Sequence, residues 1–336
     1  MRVLVIGGTR FVGRLLVFRL LARGHEVTLF NRGTLADPFG TRVERLVGDR
    51  TTGDFERRLH DRTFDAVVDF AAYRGDEVQR AIATFSGRVG HYLFVSTGQV
   101  YLVRDGLHVG DRGAVETDYD GPVRPLPTDA RDVDDWEYGI GKRACEDALI
   151  QAFARDRFPA TRLRIPMVNG EGDYYRRVQA YIARILDGGP LLVPHRGGDP
   201  RTRHVYGIDV ASAIEALLGV DGAHGEAFNL ANDETPTLVE LLTVLSAHLG
   251  ATPELVPITL ARLEAAGIAP ADVSPFSGRW MSFLDPAKAK ALEFRATPLD
   301  VQLGRIVASY LAHVPEAHPG LRHRARELEL AASREV

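Results

Sequence analysis

Residues Arg2–Gly13 read RVLVIGGTRFVG. Arg2–Ile6 is a short apolar, β-branched run, which predicts a strand buried on both faces, as in a parallel sheet. A helical spacing (Phe11, Leu15, Leu16, Leu20) follows through Arg23 and stops at Gly24, a C-cap residue. The glycines of Gly7-Gly8-Thr9-Arg10-Phe11-Val12-Gly13 therefore join a strand to a helix. Gly7 permits the tight turn and Gly13 permits close helix–sheet packing. The free N–H groups and the dipole at the helix start attract a pyrophosphate.

Working outward, four more strand patterns follow: Glu26–Phe30, Val43–Val47, Ala66–Phe70 and His91–Ser96, with helical stretches between several of them. That rhythm predicts an α/β fold, a doubly wound parallel sheet of the Rossmann kind. From about residue 160 the pattern loosens. Arg162–Ile165 reads as a strand, and Tyr174–Leu186, Val210–Leu218 and Leu238–Leu249 as helices. Pro253–Phe283 reads as loops and short helices. Lys288–Leu292 and Val301–His313 read as helices, and His323–Glu335 as a charged tail, either helical or frayed. The expected domains are 1–165, holding the dinucleotide and the catalytic residues; 166–315, a smaller α/β substrate domain with segments returning to the sheet; and a tail, 316–336.

The 336 residues are 45% hydrophobic and 26% charged, which excludes disordered, collagen-like and coiled-coil chains. The net charge of −4 is scattered, with no basic stripe for nucleic acid. A single cysteine, Cys145, excludes an internal disulfide and a CxxC metal site, and no His/Asp/Glu cluster has metal-ligand spacing. No apolar run reaches membrane length and no signal-peptide pattern precedes the first strand, so the expected location is the cytoplasm. Basic residues are almost all arginine: the only lysines are Lys142, Lys288 and Lys290.

The second strand pattern ends Phe30-Asn31-Arg32. A site for NAD usually carries Asp or Glu there, to bind the ribose 2′-OH. Here Asn31 leaves no carboxylate to repel a 2′-phosphate, and Arg10 and Arg32 are available to bind one. The expected cofactor is NADP(H), with NAD(H) second. Asp49, with Arg50 beside it, follows the third strand and suits an acceptor for the adenine amino group. Lys142 stands four residues after Tyr138 in a predicted helix, so the two share a face. A cation near a phenol favours the phenolate and makes Tyr138 usable as a general acid or base. Thr97, at the end of the fifth strand, would hold the reacting oxygen.

The order of these features resembles the extended short-chain dehydrogenase/reductases, the NAD-dependent epimerase/dehydratase group. The resemblance covers roughly residues 1–315. It includes the glycine loop, Asp49, Asp69-Phe70-Ala71-Ala72, Phe94-Val95-Ser96-Thr97, Tyr138 to Lys142, Arg164–Gly170, His204–Ala211 and Phe228-Asn229-Leu230. The loop wording GGTRFVG also looks like a subgroup that includes chloroplast stem-loop RNA-binding relatives. The resemblance implies a Rossmann domain, a small substrate domain and a cleft between them. It implies catalytic roles for Thr97, Tyr138 and Lys142, and an Ala71-Ala72 turn, with Phe70, over the pyrophosphate and ribose. It also implies a nicotinamide-side segment at Pro166, Met167 and Val168. A homodimer through a four-helix bundle is the family-level expectation.

The chain departs from that family at informative places. Arg10 replaces the middle glycine of the loop, which supports NADP. The 4,6-dehydratases carry Thr-Asp-Glu where this chain has Thr97-Gly98-Gln99, so dehydration is not expected. Met167 stands where many nucleotide-sugar enzymes have a polar residue, which suits an apolar or unusual substrate. Gln99, Asn169, Tyr175, Arg203 and Arg279 complete the candidate substrate contacts. The expectation is an NADP(H)-dependent reductase of a small-molecule ketone or aldehyde. The alternatives are a nucleotide-sugar epimerase with retained cofactor, and a non-catalytic nucleotide- or RNA-binding protein on the same fold.

Overall fold

The computed structural model describes residues 1–108, 112–195, 201–277, 281–316 and 318–333. The chain divides into two compact units. The first comprises Met1–Met167, Gly207–Ala231 and Ser282–Arg295; the second comprises Val168–Tyr206, Asn232–Met281 and Ala296–Val336.

The first unit is built on β1 (Arg2–Ile6), β2 (Glu26–Asn31), β3 (Val43–Val47), β4 (Phe64–Asp69), β5 (Val89–Thr97) and β6 (Ala160–Ile165). The second unit holds β7 (Met167–Asn169, its first residue still in the first unit), β8 (Leu191–His195) and β9 (His204–Tyr206). The chain then returns for β10 (Ala227–Asn229) and leaves again for β11 (Leu255–Thr259). Seven strands form one parallel sheet in the order β10-β6-β5-β4-β1-β2-β3. Strand order reverses between β1 and β4, and ligands bind such sheets outside the carboxyl ends of the strands at that reversal. The helices are α1 (Phe11–Ala22), α2 (Asp54–Leu59), α3 (Gly75–Phe85), α4 (Gln99–Leu102), α5 (Ala130–Asp156), α6 (Arg177–Asp187) and α7 (Gly207–Leu217). They continue with α8 (Leu238–His248), α9 (Leu260–Ala265), α10 (Pro270–Val273), α11 (Ala287–Ala291), α12 (Leu299–Ala312) and α13 (Arg324–Ala332).

The sheet explains the apolar runs of the first half. Val3, Leu4, Val5 and Ile6 of β1 are fully covered, with β2 on one side and β4 on the other. Edge-to-face contacts of Phe30 on Phe55 and Phe55 on Phe85 fix the core between the sheet, α2 and α3.

Three expectations are corrected, and the open choice for the tail is decided as helix. Pro253–Phe283 contains a strand, β11, which pairs in parallel with β8, itself unexpected. Both carry a proline, Pro257 and Pro194, which a two-stranded sheet tolerates because each strand is an edge. The helix expected from Tyr174 begins at Arg177. The Asp173 carboxylate accepts the N–H groups of Tyr175 (3.0 Å) and Arg177 (3.2 Å), and Arg176 takes a left-handed φ of 53°. The helix expected from Val210 begins at Gly207. The charged tail is integrated as α13: buried Glu327 pairs with buried Arg184 of α6 at 2.8 Å, so its charge is matched inside the second unit.

Two buried histidines make the fold acid-sensitive. His91 bonds Thr161 Oγ1 at 2.8 Å and stacks edge-on to His224, while His204 lies beside Phe276. Burial, reinforced by a neighbouring cation or imidazole, pushes each down to about 4. The unfolded chain takes protons near pH 6.5, so this stability is complete above that pH and is lost as pH falls toward 4. At pH 5 the loss is about 2 kcal/mol per histidine. Urea unfolding at pH 7.5 and 5.0 should show a clear fall in midpoint, with His91→Gln flattening it by about half. Equal midpoints at the two pH values would contradict this.

Candidate active site

The glycine loop is shaped by contacts that exclude side chains. Gly7 has φ +95°, and a Cβ there would touch the Cβ of Ala71 at 3.4 Å; one on Gly13 would sit 2.9 Å from the Gly8 Cα. Its N–H donates to the Phe30 carbonyl of β2 at 3.1 Å. Arg10 is the N-cap of α1, with no side-chain cap bond and no acidic residue in the first turn. The loop thus presents backbone N–H groups across from the Ala71-Ala72 turn, a cradle that fits a dinucleotide pyrophosphate.

That turn is organised by Asp69, the last residue of β4, which is fully buried. Its carboxylate accepts from the N–H groups of Ala71 (2.8 Å) and Ala72 (3.1 Å), from the Tyr92 hydroxyl (2.6 Å) and from Arg50 Nη1 (2.8 Å). Burial alone would raise its pKa, but Arg50 beside it and these bonds hold it below the usual carboxylate value. The expectation for Arg50 is corrected: its guanidinium turns inward to Asp69 and the Glu77 carbonyl, so the side chain is committed beneath the turn.

At the end of β2, Asn31 Oδ1 accepts the Gly33 N–H at 2.8 Å and closes the turn. Arg10 and Arg32 are exposed. Asp49 accepts from the Thr51 hydroxyl and N–H; these bonds, and then the Arg32 charge, lower its pKa.

Thr97, Tyr138 and Lys142 all belong to the first unit. Thr97 ends β5 and is buried; its Oγ1 accepts the Gln99 N–H at 3.3 Å. The Gln99 amide reaches Asp135 on α5 at 3.4 Å. Tyr138 and Lys142 lie one turn apart on α5, the phenol 38% exposed and the lysine 2%. The ammonium donates to the Val95 carbonyl of β5 at 2.9 Å and lies over the rings of Phe94 (4.6 Å) and Tyr73 (4.9 Å). Burial lowers its pKa to about 8, against the raising effect of Cys145 and Asp69. Two helix-interior glycines separate Tyr138 from Lys142. A Cβ on Gly139 would meet Val103 Cγ1 at 2.6 Å, and one on Gly141 would overlap the Tyr73 carbonyl oxygen. Close approach, not helix propensity, explains their presence.

Below this trio Glu146 and Arg164 form a buried ion pair, with Nη2 to Oε2 at 2.6 Å and Nε 3.1 Å from each oxygen. Ser96 donates to Glu146 at 2.5 Å, and Arg164 Nη1 donates to the Tyr101 hydroxyl at 2.6 Å. The pair ties α5 to β6 and so fixes the helix that carries Tyr138.

The remaining candidates follow β6 in sequence. Pro166 is buried, and Met167 and Val168 are half-buried. In the second unit, Asn169 is buried with its amide unpartnered. Tyr175 is exposed, its ring tilted at 37° to that of Tyr174 with centroids 4.3 Å apart. Arg203 is corrected: it is buried and donates to the Asn232 carbonyl at 2.9 Å. Arg279 lies outside the described residues. Sequence reasoning missed Tyr73, Phe94 and the Glu146–Arg164 pair; only the position of Tyr73 directly after the Ala-Ala turn could have signalled one of them.

Comparison with known proteins agrees with this layout. The family model for the NAD dependent epimerase/dehydratase family matches residues 3–231. The chloroplast stem-loop binding protein of 41 kDa b from Arabidopsis thaliana is 28% identical over 269 residues, 75% of this chain; the match spans 64% of the plant protein's length. The dTDP-6-deoxy-L-talose 4-dehydrogenase (NAD(P)(+)) of Kitasatospora kifunensis is 24% identical over 76% of this chain and 82% of its own. The solved UDP-glucose 4-epimerase of Thermotoga maritima, with UDP-glucose, superposes with a TM-score of 0.73 at 20% identity, covering 94% of this chain and all of that one. Glycine loop, Asp69-held turn and Thr–Tyr–Lys trio lie in the matched segment, and the chain belongs to the NAD dependent epimerase/dehydratase family, the extended short-chain dehydrogenase/reductases.

Proposed function

We propose that this protein is an NADP(H)-dependent reductase of a small-molecule ketone or aldehyde. The observation that carries the reading is the gathering of buried Thr97, buried Lys142 and half-exposed Tyr138 at the carboxyl end of β5 and on the face of α5 beside it. The glycine loop and the Ala71-Ala72 turn would hold the dinucleotide, and bound NADPH would supply the hydride. Tyr138 gives its phenolic proton to the carbonyl oxygen as the carbon is reduced, and the Thr97 hydroxyl donates a hydrogen bond to the same oxygen. Lys142 keeps a positive charge near the phenol and stabilises its ionised form. Thr97-Gly98-Gln99 offers no carboxylate pair for dehydration.

Preference for the phosphorylated cofactor rests on exposed Arg10 and Arg32 and on Asn31 at the end of β2. Charge-assisted contacts to a 2′-phosphate should make NADPH bind about 10- to 100-fold tighter than NADH. Calorimetric titration with both cofactors checks this, and Arg32→Asp should erase or reverse the preference. Equal or tighter binding of NADH by the wild type would contradict it.

The epimerase relative supports a second reading, in which one carbon is oxidised and reduced again with retained cofactor. The plant relative's name points to RNA, but a net charge of −4 does not favour a polyanion.

A further inference from the structure

Lys142 is held by more than its own helix. Its ammonium has one hydrogen-bond acceptor, Val95 O, and two aromatic faces, Phe94 and Tyr73, within 5 Å. Phe94 is a fully buried strand residue, whereas Tyr73 is 54% exposed and covers the lysine from the solvent side. The same ring lies 6.2 Å from the ring of Tyr138, inclined at 45°. Tyr73 therefore touches both members of the pair on α5.

Its backbone is fixed with unusual care for an exposed residue. The Tyr73 N–H donates to the carboxylate of buried Glu77 at 2.7 Å, and the next N–H, of Arg74, does so at 3.0 Å. The preceding turn hangs on Asp69. On the other side, α5 can lie against the Tyr73 carbonyl only because residue 141 is glycine. An ordinary surface tyrosine needs none of this.

We propose that Tyr73 is a positioning residue: with Phe94 its ring clamps the Lys142 ammonium and holds that charge beside the Tyr138 phenol. The inference rests on the proposed role of Tyr138. A cation held against aromatic faces and screened from water acts on a neighbouring phenol more strongly than one free to move into solvent. The other titratable groups acting on the lysine are Asp69 of β4, Arg50 after β3, and Glu146 and the Cys145 thiol on α5, the thiol pushed up to about 12 by burial and so neutral. All lie on the buried side, so none replaces the ring that faces solvent.

The test is an ultraviolet difference titration of tyrosine ionisation in the free full-length chain, which needs no substrate. In the wild type one phenol should ionise ahead of the others, and Tyr138→Phe should remove that early phase. Tyr73→Ala should move the phase upward by about one pH unit, while Tyr73→Phe, which keeps the ring, should leave it in place. An early phase unmoved by Tyr73→Ala would overturn the clamp, as would a shift of the same size in Tyr73→Phe. A wild type whose titration does not change in Tyr138→Phe would refute the assignment of Tyr138 itself, and the clamp with it. Tyr73 is exposed, so the alanine variant should melt as the wild type does.

Discussion

Tyr138→Phe is expected to lower turnover about 10²- to 10⁴-fold and to leave NADPH affinity within about twofold. Phenylalanine keeps the ring beside Tyr73 and the helical register above Lys142, so only the proton and the hydroxyl dipole are lost. Tyr138 is more than one-third exposed, so the fold loses little. The measurement is steady-state NADPH oxidation with any carbonyl compound the wild type reduces, beside a binding titration. Full activity in the variant would refute the mechanism, and a parallel loss of cofactor affinity would assign Tyr138 to binding.

Arg164→Leu is expected to cost about 3–5 kcal/mol of stability. The cost arises because Glu146 would be left buried with only Arg162, 3.8 Å away, to balance its charge. Burial on its own raises the pKa of that carboxyl, and it is Arg164 that holds it low. Bonds from Arg164 to Tyr101 and to the Glu116 carbonyl would be lost as well. Urea unfolding at neutral pH reads the loss, and replacing Glu146 and Arg164 together by leucine should recover much of it. A loss below about 1 kcal/mol for Arg164→Leu, the size expected of a surface pair, would contradict this account.

The first half of the fold was legible because its central strands, such as β1 and β4, are covered on both faces and so read as largely apolar runs. The glycine loop was legible because Gly7 takes a left-handed φ of +95° and Gly13 lies against the Gly8 backbone where a side chain cannot fit. The second unit was less so. β8 and β11 contain prolines that a sequence reader takes as breaks, and only their pairing as two edges makes them strands. The start of α6 was misplaced because the short Asp173 side chain folds Tyr174-Tyr175-Arg176 into a turn, a local bond that periodicity does not record. Arg50 and Arg203 read as ligand contacts, and their burial could not be seen because it depends on a partner distant in sequence: Asp69 for the first, the Asn232 carbonyl for the second. Lys142 was found for a physical reason. In a chain where arginine replaces lysine nearly everywhere, a lone lysine one turn from a tyrosine marks a place where a compact ammonium fits and a guanidinium fork does not. Its aromatic surroundings, Phe94 within β5 and Tyr73 in the turn after β4, come from separate segments and could not be read from the Tyr–Lys spacing.

Net hydride transfer from exchangeable NADPH, the proposed reaction, is read by isotope transfer. The wild-type protein is incubated with NADPH deuterated at the transferring position and a panel of ketones, aldehydes and keto-sugar nucleotides, and products are read by mass spectrometry. One deuterium on the new carbinol carbon, with stoichiometric NADP⁺, is the result expected. Products formed without deuterium would contradict net reduction and favour the retained-cofactor epimerase; no product and no binding of either cofactor would contradict the enzyme reading altogether.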